Sequence, residues 1–411
     1  MRGFRLKVKA VQIMLARWAV SFLFAVFVLP VFYLCEPFKK IRIGIIGSMR
    51  FGLIALHLEY LLRKKRLAAH PDNTFLILFS GPPVNRQLLE MFKRHDLNII
   101  ENPLLYRIIF VFLQPFLKKT RFYDEFTHKA SFHFFKHGEP NLTFLPEEEA
   151  RGKKWLESVG IGERDWFVCI FARDSDFLNT LFPNSFIYGS LVKNDWSYYN
   201  FRCANINSFR LAIQYIVEQN GFVIRMGYLA KVPLEFKHPK VIDYALNHRS
   251  DFLDVYLPAK CRFFLGTPGG GSDLPVVFNK PRVLVHCQPA GYVPRGKNDL
   301  YIPKKVIDLN TKQYVSFAKI IGEDLPKVAI KYDESNHLIP LGLDYEDHSE
   351  SDILKVAKEM NERLNGTFKE ESQYKTLLER HYGIFPSNNI WRNNKTPIGH
   401  DFLIENQHLF F

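Results

Sequence analysis

Cysteine is scarce in this chain. Five occur among 411 residues, at Cys35, Cys169, Cys203, Cys261 and Cys287, and no two form a C-x-x-C pair. Several fall inside apolar, strand-like runs such as Phe167-Val168-Cys169-Ile170-Phe171. An odd, dispersed set of this kind excludes a disulfide scaffold and a zinc site and fits a reducing compartment. Familiar catalytic signatures are also missing: there is no G-x-S-x-G elbow, no H-E-x-x-H, no kinase set and no Walker A loop. Short-period repeats and low-complexity tracts are absent. Acidic residues nearly vanish from the first 66 positions, where Glu36 and Glu59 face thirteen Lys and Arg. That stretch supplies +11 of the net +13, so the remaining chain is close to neutral.

What the sequence has in quantity is apolar material: 47 % of residues, with 38 Phe. This is ample for cores and excludes a disordered chain. A length of 411 residues makes two domains the default. The basic residues flank an apolar run, Trp18 to Cys35, which carries no charge and contains Pro30. Lys and Arg lie on both sides of it, so the positive-inside signal is nearly symmetric. The favoured reading is a segment that Pro30 breaks and that lies in the interface, both ends cytoplasmic; a single span is the alternative. The bulky run without a small-residue cleavage site is not a signal peptide. A second apolar stretch, Leu104–Lys119, reads either as a core helix or as a membrane contact. Basic residues beside apolar sequence, with no stacking-platform motif, argue for an anionic membrane surface and against nucleic acid.

The pattern along the chain is α/β. Strand candidates at 42–47, 74–79 and 97–100 alternate with helix candidates at 53–62 and 85–94, as in the opening of a doubly wound domain. Residues 137–146 read as an interdomain stretch. Pro146 and the run Glu147-Glu148-Glu149 start a helix, because Pro is tolerated at N1 and acids suit the positive end of the helix dipole. A second alternation follows. Its strands are expected at 166–171, 222–224, 241–244, 261–265 and 282–285, and its helices at 207–219 and 251–259 and up to Phe278. Two tail helices, 349–364 and 370–381, are expected to return over the first domain. The expected division is 1–40 membrane-associated, 41–145 N-terminal domain, 146–335 C-terminal domain and 336–411 helical tail.

The strongest local signal is Gly266-Thr267-Pro268-Gly269-Gly270-Gly271-Ser272-Asp273, between a strand and a helix. Successive glycines allow close backbone approach, and a helix N-terminus offers free N–H groups and a positive dipole end, a natural seat for a diphosphate. The alternative is a tight turn capped by Ser272 or Asp273. Arg173 and Arg225 are expected at the carboxyl ends of strands, where open α/β sheets bind ligands, and together would bracket a diphosphate. For each, an ion pair with a nearby Asp is the competing role. Asp174-Ser175-Asp176 matches a D-x-D metal pattern, but short acidic loops of this kind usually just solvate, so no metal and no cofactor is expected. His57 and Glu59, on the first helix after the Gly47-Ser48 turn, are candidates for a general base; a surface role is the alternative for each.

The C-terminal half resembles a family of bacterial glycosyltransferases of surface-polysaccharide loci. The resemblance rests on Phe167–Phe177 with its Arg173-Asp174, on Asn200-Phe201-Arg202, on Val223-Ile224-Arg225-Met226-Gly227, on Ile242-Asp243-Tyr244-Ala245 with Arg249–Asp254, and on Phe278-Asn279-Lys280-Pro281. It covers roughly 166–305 and is distantly similar to fucosyltransferase-like GT-B enzymes. It implies a GT-B-like pair of Rossmann-type domains and a nucleotide-sugar co-substrate. Arg173 would bind the donor diphosphate and Asp243 the ribose or base, with Arg225, Gly227, Thr267, Gly269, Gly270, Gly271 and Ser272 completing the donor site. The acceptor would be lipid-linked or a surface glycan, at the cytoplasmic face of the inner membrane. Two other functions are carried forward: a polyol-phosphate transferase of the teichoic type, and a non-catalytic partner anchored in a polysaccharide assembly complex.

Overall fold

A computed structural model describes residues 2–67, 73–125, 132–181, 183–187, 190–193, 196–230, 232–288, 292–321, 338, 341–387 and 391–410. The chain forms two compact units, residues 1–128 with 179–195, and residues 129–178 with 196–411. The expected boundary at 335/336 falls outside the described residues.

The first unit begins with α1 (Arg2–Leu23), a π-helical turn (Phe24–Val28) and α2 (Leu29–Cys35), one uninterrupted helical run. Pro30 therefore does not break the helix. The π turn just before it absorbs the missing amide by widening the ring of hydrogen bonds, and Leu29 N–H reaches back to Phe24. Then come β1 (Lys40–Ile46), α3 (Phe51–Leu67), β2 (Thr74–Ser80), α4 (Arg86–Lys93) and β3 (Asn98–Glu101). The three strands pair in parallel in the order β1-β2-β3. Asn85 caps α4, its side chain accepting from Leu88 N–H at 2.8 Å. The apolar stretch after β3 is a second helix of the same design: α5 (Pro103–Ile108), a π turn (Ile109–Leu113) and α6 (Gln114–Leu117), with Pro115 where Pro30 stands in the first.

The second unit starts with α7 (Phe132–His137) and α8 (Pro146–Ser158), and Pro146 occupies the first helical turn as expected. After β4 (Phe167–Phe171) comes α9 (Asp176–Leu181), within which the chain passes to the first unit; the hairpin that follows, β5 (Asn184–Ile187) with β6 (Ser190–Lys193), belongs to that unit. The chain continues through α10 (Arg210–Glu218), β7 (Phe222–Arg225), β8 (Val241–Ile242), α11 (Tyr244–Asn247), α12 (Asp251–Lys260), β9 (Phe263–Gly266), α13 (Gly270–Val277), β10 (Arg282–Cys287) and β11 (Leu300–Pro303). These build a six-stranded parallel sheet, β11-β10-β9-β4-β7-β8. An antiparallel sheet, β13-β12-β14, joins β12 (Lys305–Asp308), β13 (Tyr314–Val315) and β14 (Leu343–Glu346), with α14 (Phe317–Ile321) between the last two in sequence. The tail holds α15 (Glu350–Asn365), α16 (Ser372–Gly383), α17 (His400–Glu405) and α18 (Gln407–Phe410).

Alternation along the strands fills two cores, one on each face of the large sheet. Val168, Ile170, Val223, Phe263 and Leu265 face one; Phe167, Cys169, Phe222, Ile224 and Phe264 face the other. On the second face, α8 lies close to α12. A Cβ added at Gly152 would sit 2.1 Å from the Tyr256 ring, so only glycine admits that approach. The first face is closed by α10 together with Ile353, Val356, Ala357 and Met360 of α15 and Tyr374, Leu377 and Leu378 of α16. The tail helices are thus core elements of the second unit, which corrects the expectation that they return over the first. Their apolar stripes match an otherwise open sheet face, and burial at about 25 cal/mol per Å² of apolar surface holds them there.

Candidate functional site

The strand order of the large sheet locates a crevice before any side chain is considered. From β4 the chain runs outward through β7 and β8 on one side, and later through β9, β10 and β11 on the other. The order reverses between β4 and β9, and in open α/β sheets ligands bind outside the carboxyl ends of the strands at such a switch point. The residues that emerge there are Arg173 after β4 and the Gly-rich turn after β9. The structure joins them. The Arg173 backbone N–H donates to Thr267 Oγ1 at 2.9 Å, and Thr267 N–H donates to the Phe171 carbonyl at 3.0 Å.

Glycine is needed in this turn for space. A Cβ at Gly266 would lie 2.5 Å from the Phe171 carbonyl oxygen, because β9 and β4 are in register there. At Gly269 it would come to 3.3 Å from the Phe171 ring and 3.6 Å from Arg173 Cδ, which places the Arg173 side chain beside the turn. The Ser272 hydroxyl accepts from Gly269 N–H at 3.0 Å and donates to the Gly269 carbonyl at 2.9 Å. Ser272 therefore closes the turn on itself, and the backbone of Gly270 and Gly271 is what opens α13.

The turn is held from beneath by a buried cation. Arg282 at the start of β10 is fully buried, grips Asp299 through Nε (2.9 Å) and Nη2, and donates from Nη1 to the Ser272 carbonyl at 2.6 Å. Gly296 N–H also donates to Asp299, at 2.6 Å. Asp273 stands 3.6 Å from Arg282. Partial burial pushes its carboxyl up, against the pull of Arg282, Arg295 and Arg202. Lys136 on α7 is a further cation in this region. Burial lowers its ammonium to about 8, and Asp299 opposes the shift.

Arg225 and Asp243 pair with each other, the competing role expected for the arginine. Arg225 is the last residue of β7 and pairs in register with Ile170, so it lies on the strand, whereas Arg173 lies beyond its strand's end. Its guanidinium reaches both oxygens of Asp243, at 3.1 and 3.3 Å, and Asp243 also accepts from Leu234 N–H at 3.1 Å. Both side chains are nearly buried. Gly227 follows β7, and a Cβ there would press on Ala245 at 3.2 Å. The pair thus ties β7 to the end of β8 and to the loop between them.

Beside Arg173, Nη1 approaches Cys203 Sγ at 3.7 Å, and Ala204 N–H donates to the Arg173 carbonyl. Burial pushes the Cys203 thiol up, with Arg173 opposing. The Asn200-Phe201-Arg202 segment lies in the same neighbourhood, since Lys304 past β11 donates to the Phe201 carbonyl at 2.8 Å and pairs with Asp347. Asp174 precedes α9, while the side chain of Asp176, the second acid of the D-x-D, lies outside the described residues. Among the described residues no group of three or more His, Cys, Asp or Glu is placed to hold a metal.

In the first unit, Glu59 is fully buried in an ion pair with Arg63, one turn on along α3, at 2.7 Å. His57 is half-buried on the same helix. The sequence reading missed Arg282, Asp299, Lys136, Lys304 and Gln288. Gln288 follows β10 directly and is buried, and among the described residues neither amide atom has a hydrogen-bond partner. Position just past a strand is the signal that could have flagged Gln288; nothing local marks Asp299 or Lys304.

No protein-family model matches the chain, and no curated protein matches it. Solved structures with a similar arrangement include the glycosyltransferase family 9 protein from Veillonella parvula, at 10 % identity and a TM-score of 0.45, covering 78 % of this chain and 97 % of that one. Another is the E. coli ADP-heptose lps heptosyltransferase II, at 11 % identity and 0.38, covering 64 % and 90 %. A UDP-N-acetylglucosamine 2-epimerase is also similar, at 13 % identity and 0.29, covering 81 % and 98 %.

Proposed function

We propose that this protein is a glycosyltransferase that takes a sugar from a nucleotide-activated donor and delivers it to a lipid-linked or surface-glycan acceptor at a membrane. One observation carries the reading. At the switch point of the large sheet, the Arg173 backbone is bonded to Thr267, so the Arg173 side chain stands beside the glycine turn that opens α13. A guanidinium-bearing side chain thus lies next to the N-terminus of a helix, chemistry suited to a diphosphate. As the bond from the anomeric carbon to the diphosphate oxygen breaks, negative charge gathers on that oxygen, and fixed donors stabilise it without reorganisation. Arg282 and Asp299 keep the turn in place, and the Arg225–Asp243 pair fixes the end of β7, the other neighbour of β4.

The test is a panel of nucleotide sugars, with ADP-heptose among them, plus CDP-glycerol and CDP-ribitol, read by thermal shift and by slow donor hydrolysis in mass spectrometry. Stabilisation by one nucleotide sugar, lost in Arg173→Ala, is the expected result. A response to the CDP-polyols alone would replace this reading with a polyol-phosphate transferase. Silence across the panel would favour a non-catalytic partner.

A further inference from the structure

The first unit carries an apolar surface that the donor chemistry does not use. Along α1, Val11, Leu15, Trp18, Phe22 and Val26 form one stripe at intervals of three and four residues, and all are exposed, Trp18 by 72 % and Phe22 by 66 %. The opposite stripe, Arg17, Val20 and Phe24, and later Phe32, is turned toward the unit. Val20, Phe24 and Phe32 pack on a cluster of Ile43, Ile109, Leu113 and Leu117, joined by Ile45 and Phe79 of the sheet. Phe24 meets the Phe116 ring edge-on at 6.3 Å, and Phe32 meets Phe122 at 5.5 Å. One face of the long helix is therefore already occupied by its own domain.

A polar bond fixes the two apolar helices to each other. Pro115 has no N–H, so the Val111 carbonyl four residues earlier loses its helical donor. Arg17 Nε supplies one at 2.8 Å. The second helix, Pro103–Leu117, is apolar but only fifteen residues long. At 1.5 Å per residue it reaches about 22 Å, short of the roughly 30 Å hydrocarbon core. Both its ends are tied to the sheet: it starts two residues after β3, and past its end the Phe122 carbonyl accepts from Ile43 N–H of β1 at 2.7 Å. It exposes Leu104, Leu105 and Phe110. Lys39, Lys40, Arg107, Lys119 and Arg121 are exposed around the ends of the two helices, and Arg121 lies over the Tyr33 ring at 4.8 Å.

The run Val11–Cys35 is long and apolar enough to cross a bilayer by length and composition. We propose that it does not cross. Instead, the two helices, cross-linked by Arg17, form one wedge that enters a single leaflet of an anionic bilayer, with the basic residues at the headgroups. A span would have to strip Val20, Phe24 and Phe32 from the sheet and carry Arg17 into hydrocarbon. A leaflet wedge buries the exposed stripe, lets Trp18 and Tyr33 sit at the interface, and keeps every inner contact. This deepens the membrane part of the proposed function and is independent of the donor site.

The full chain, added to preformed vesicles of phosphatidylcholine with or without phosphatidylglycerol, tests it in the absence of any nucleotide. Single labels at Gly3→Cys and Lys39→Cys, followed by peptide mass spectrometry with a membrane-impermeant maleimide, report which side each end occupies. Both ends reacting from outside is the expected result; one end protected until the vesicles are opened would overturn the wedge in favour of a span. Flotation should require phosphatidylglycerol and fall about tenfold in Phe22→Glu and in Leu104→Glu, each costing on the order of 1.4 kcal/mol. If the chain does not float, and Phe22→Glu instead converts a dimer to a monomer, the surface serves a second copy and the proposal fails. A donor thermal shift that survives in Phe22→Glu separates this outcome from failure of the catalytic reading.

Discussion

Each unit buries a guanidinium–carboxylate pair completely, and the two pairs are built differently. Glu59 and Arg63 lie one turn apart on α3, so the helix alone brings them together. Arg282 and Asp299 are seventeen positions apart and meet only after β10 and the loop before β11 are in place. The first pair joins two successive turns of one helix. The second reaches beyond itself, because Arg282 also holds the Ser272 carbonyl and Asp299 also holds Gly296 N–H. Buried charge close to the Gly-rich turn thus positions the site, while the pair on α3 needs only one turn of its own helix to form.

The largest effect that would sharpen this comparison is at Asp299. Asp299→Ala leaves Arg282 buried and unpaired and should cost about 3–5 kcal/mol, seen as a lower urea midpoint. Any donor-induced thermal shift should disappear with it. Glu59→Ala should cost a similar amount, but Glu59→Leu with Arg63→Met should restore most of the stability, as apolar replacements of buried pairs do. If that double variant is stable yet inactive, Glu59 has a chemical role and the contrast between the pairs breaks down.

Acid should separate the units next. Burial lowers His348 to about 4 and His381 to about 3, and both belong to the second unit. Their unfolded value is about 6.5. Between that value and the folded ones the unfolded chain binds more protons, so the stability they contribute is full above pH 6.5. It declines as pH falls toward 4 and levels off below the folded values. A loss of a few kcal/mol over that window is expected in the second unit, and His381→Gln should flatten the slope. An equal slope in both units would remove this distinction.

Smaller effects probe single contacts. Gly269→Ala brings a methyl to 3.3 Å from the Phe171 ring and should cost about 1 kcal/mol of stability, with a larger loss of donor response. Arg17→Met leaves the Val111 carbonyl without its donor and should cost roughly 1 kcal/mol, visible as faster amide exchange in the 103–117 helix. No change there would mean that water replaces Arg17 and that the two apolar helices are held by packing alone.

Much of the α/β alternation was legible, because periodicity and turn residues are local. The strands at 74–80 and 98–101, the helix start at Pro146 and the helices at 251–260 and 350–365 all announced themselves. Leu300–Pro303 did not, since four residues ending in Pro look like a loop until β10 lends them hydrogen bonds. Pro30 misled for a related reason: a proline reads as a helix stop, and the compensating π turn is made by backbone geometry that no residue type encodes. At the site, Arg173 and the glycine run were visible because strand-end and turn chemistry are local signals. For Arg225 and Ser272 the sequence offered a second role, an ion pair with an Asp and a cap on the turn, but could not choose the partner, because Asp243 lies eighteen positions from Arg225 and meets it only when β7 and β8 pair.

By itself, then, the sequence determined the α/β class, the position of the glycine turn after a strand, and the concentration of positive and apolar residues near its start. Each follows from propensity or composition over a few neighbouring positions. Only the tertiary structure decided which strands meet at the switch point, that Arg282 and Asp299 brace the turn, that the tail helices close the large sheet, and that Arg17 answers the carbonyl Pro115 leaves open. These depend on pairing between distant segments, whose entropic cost is met only when the whole sheet and its two cores form together.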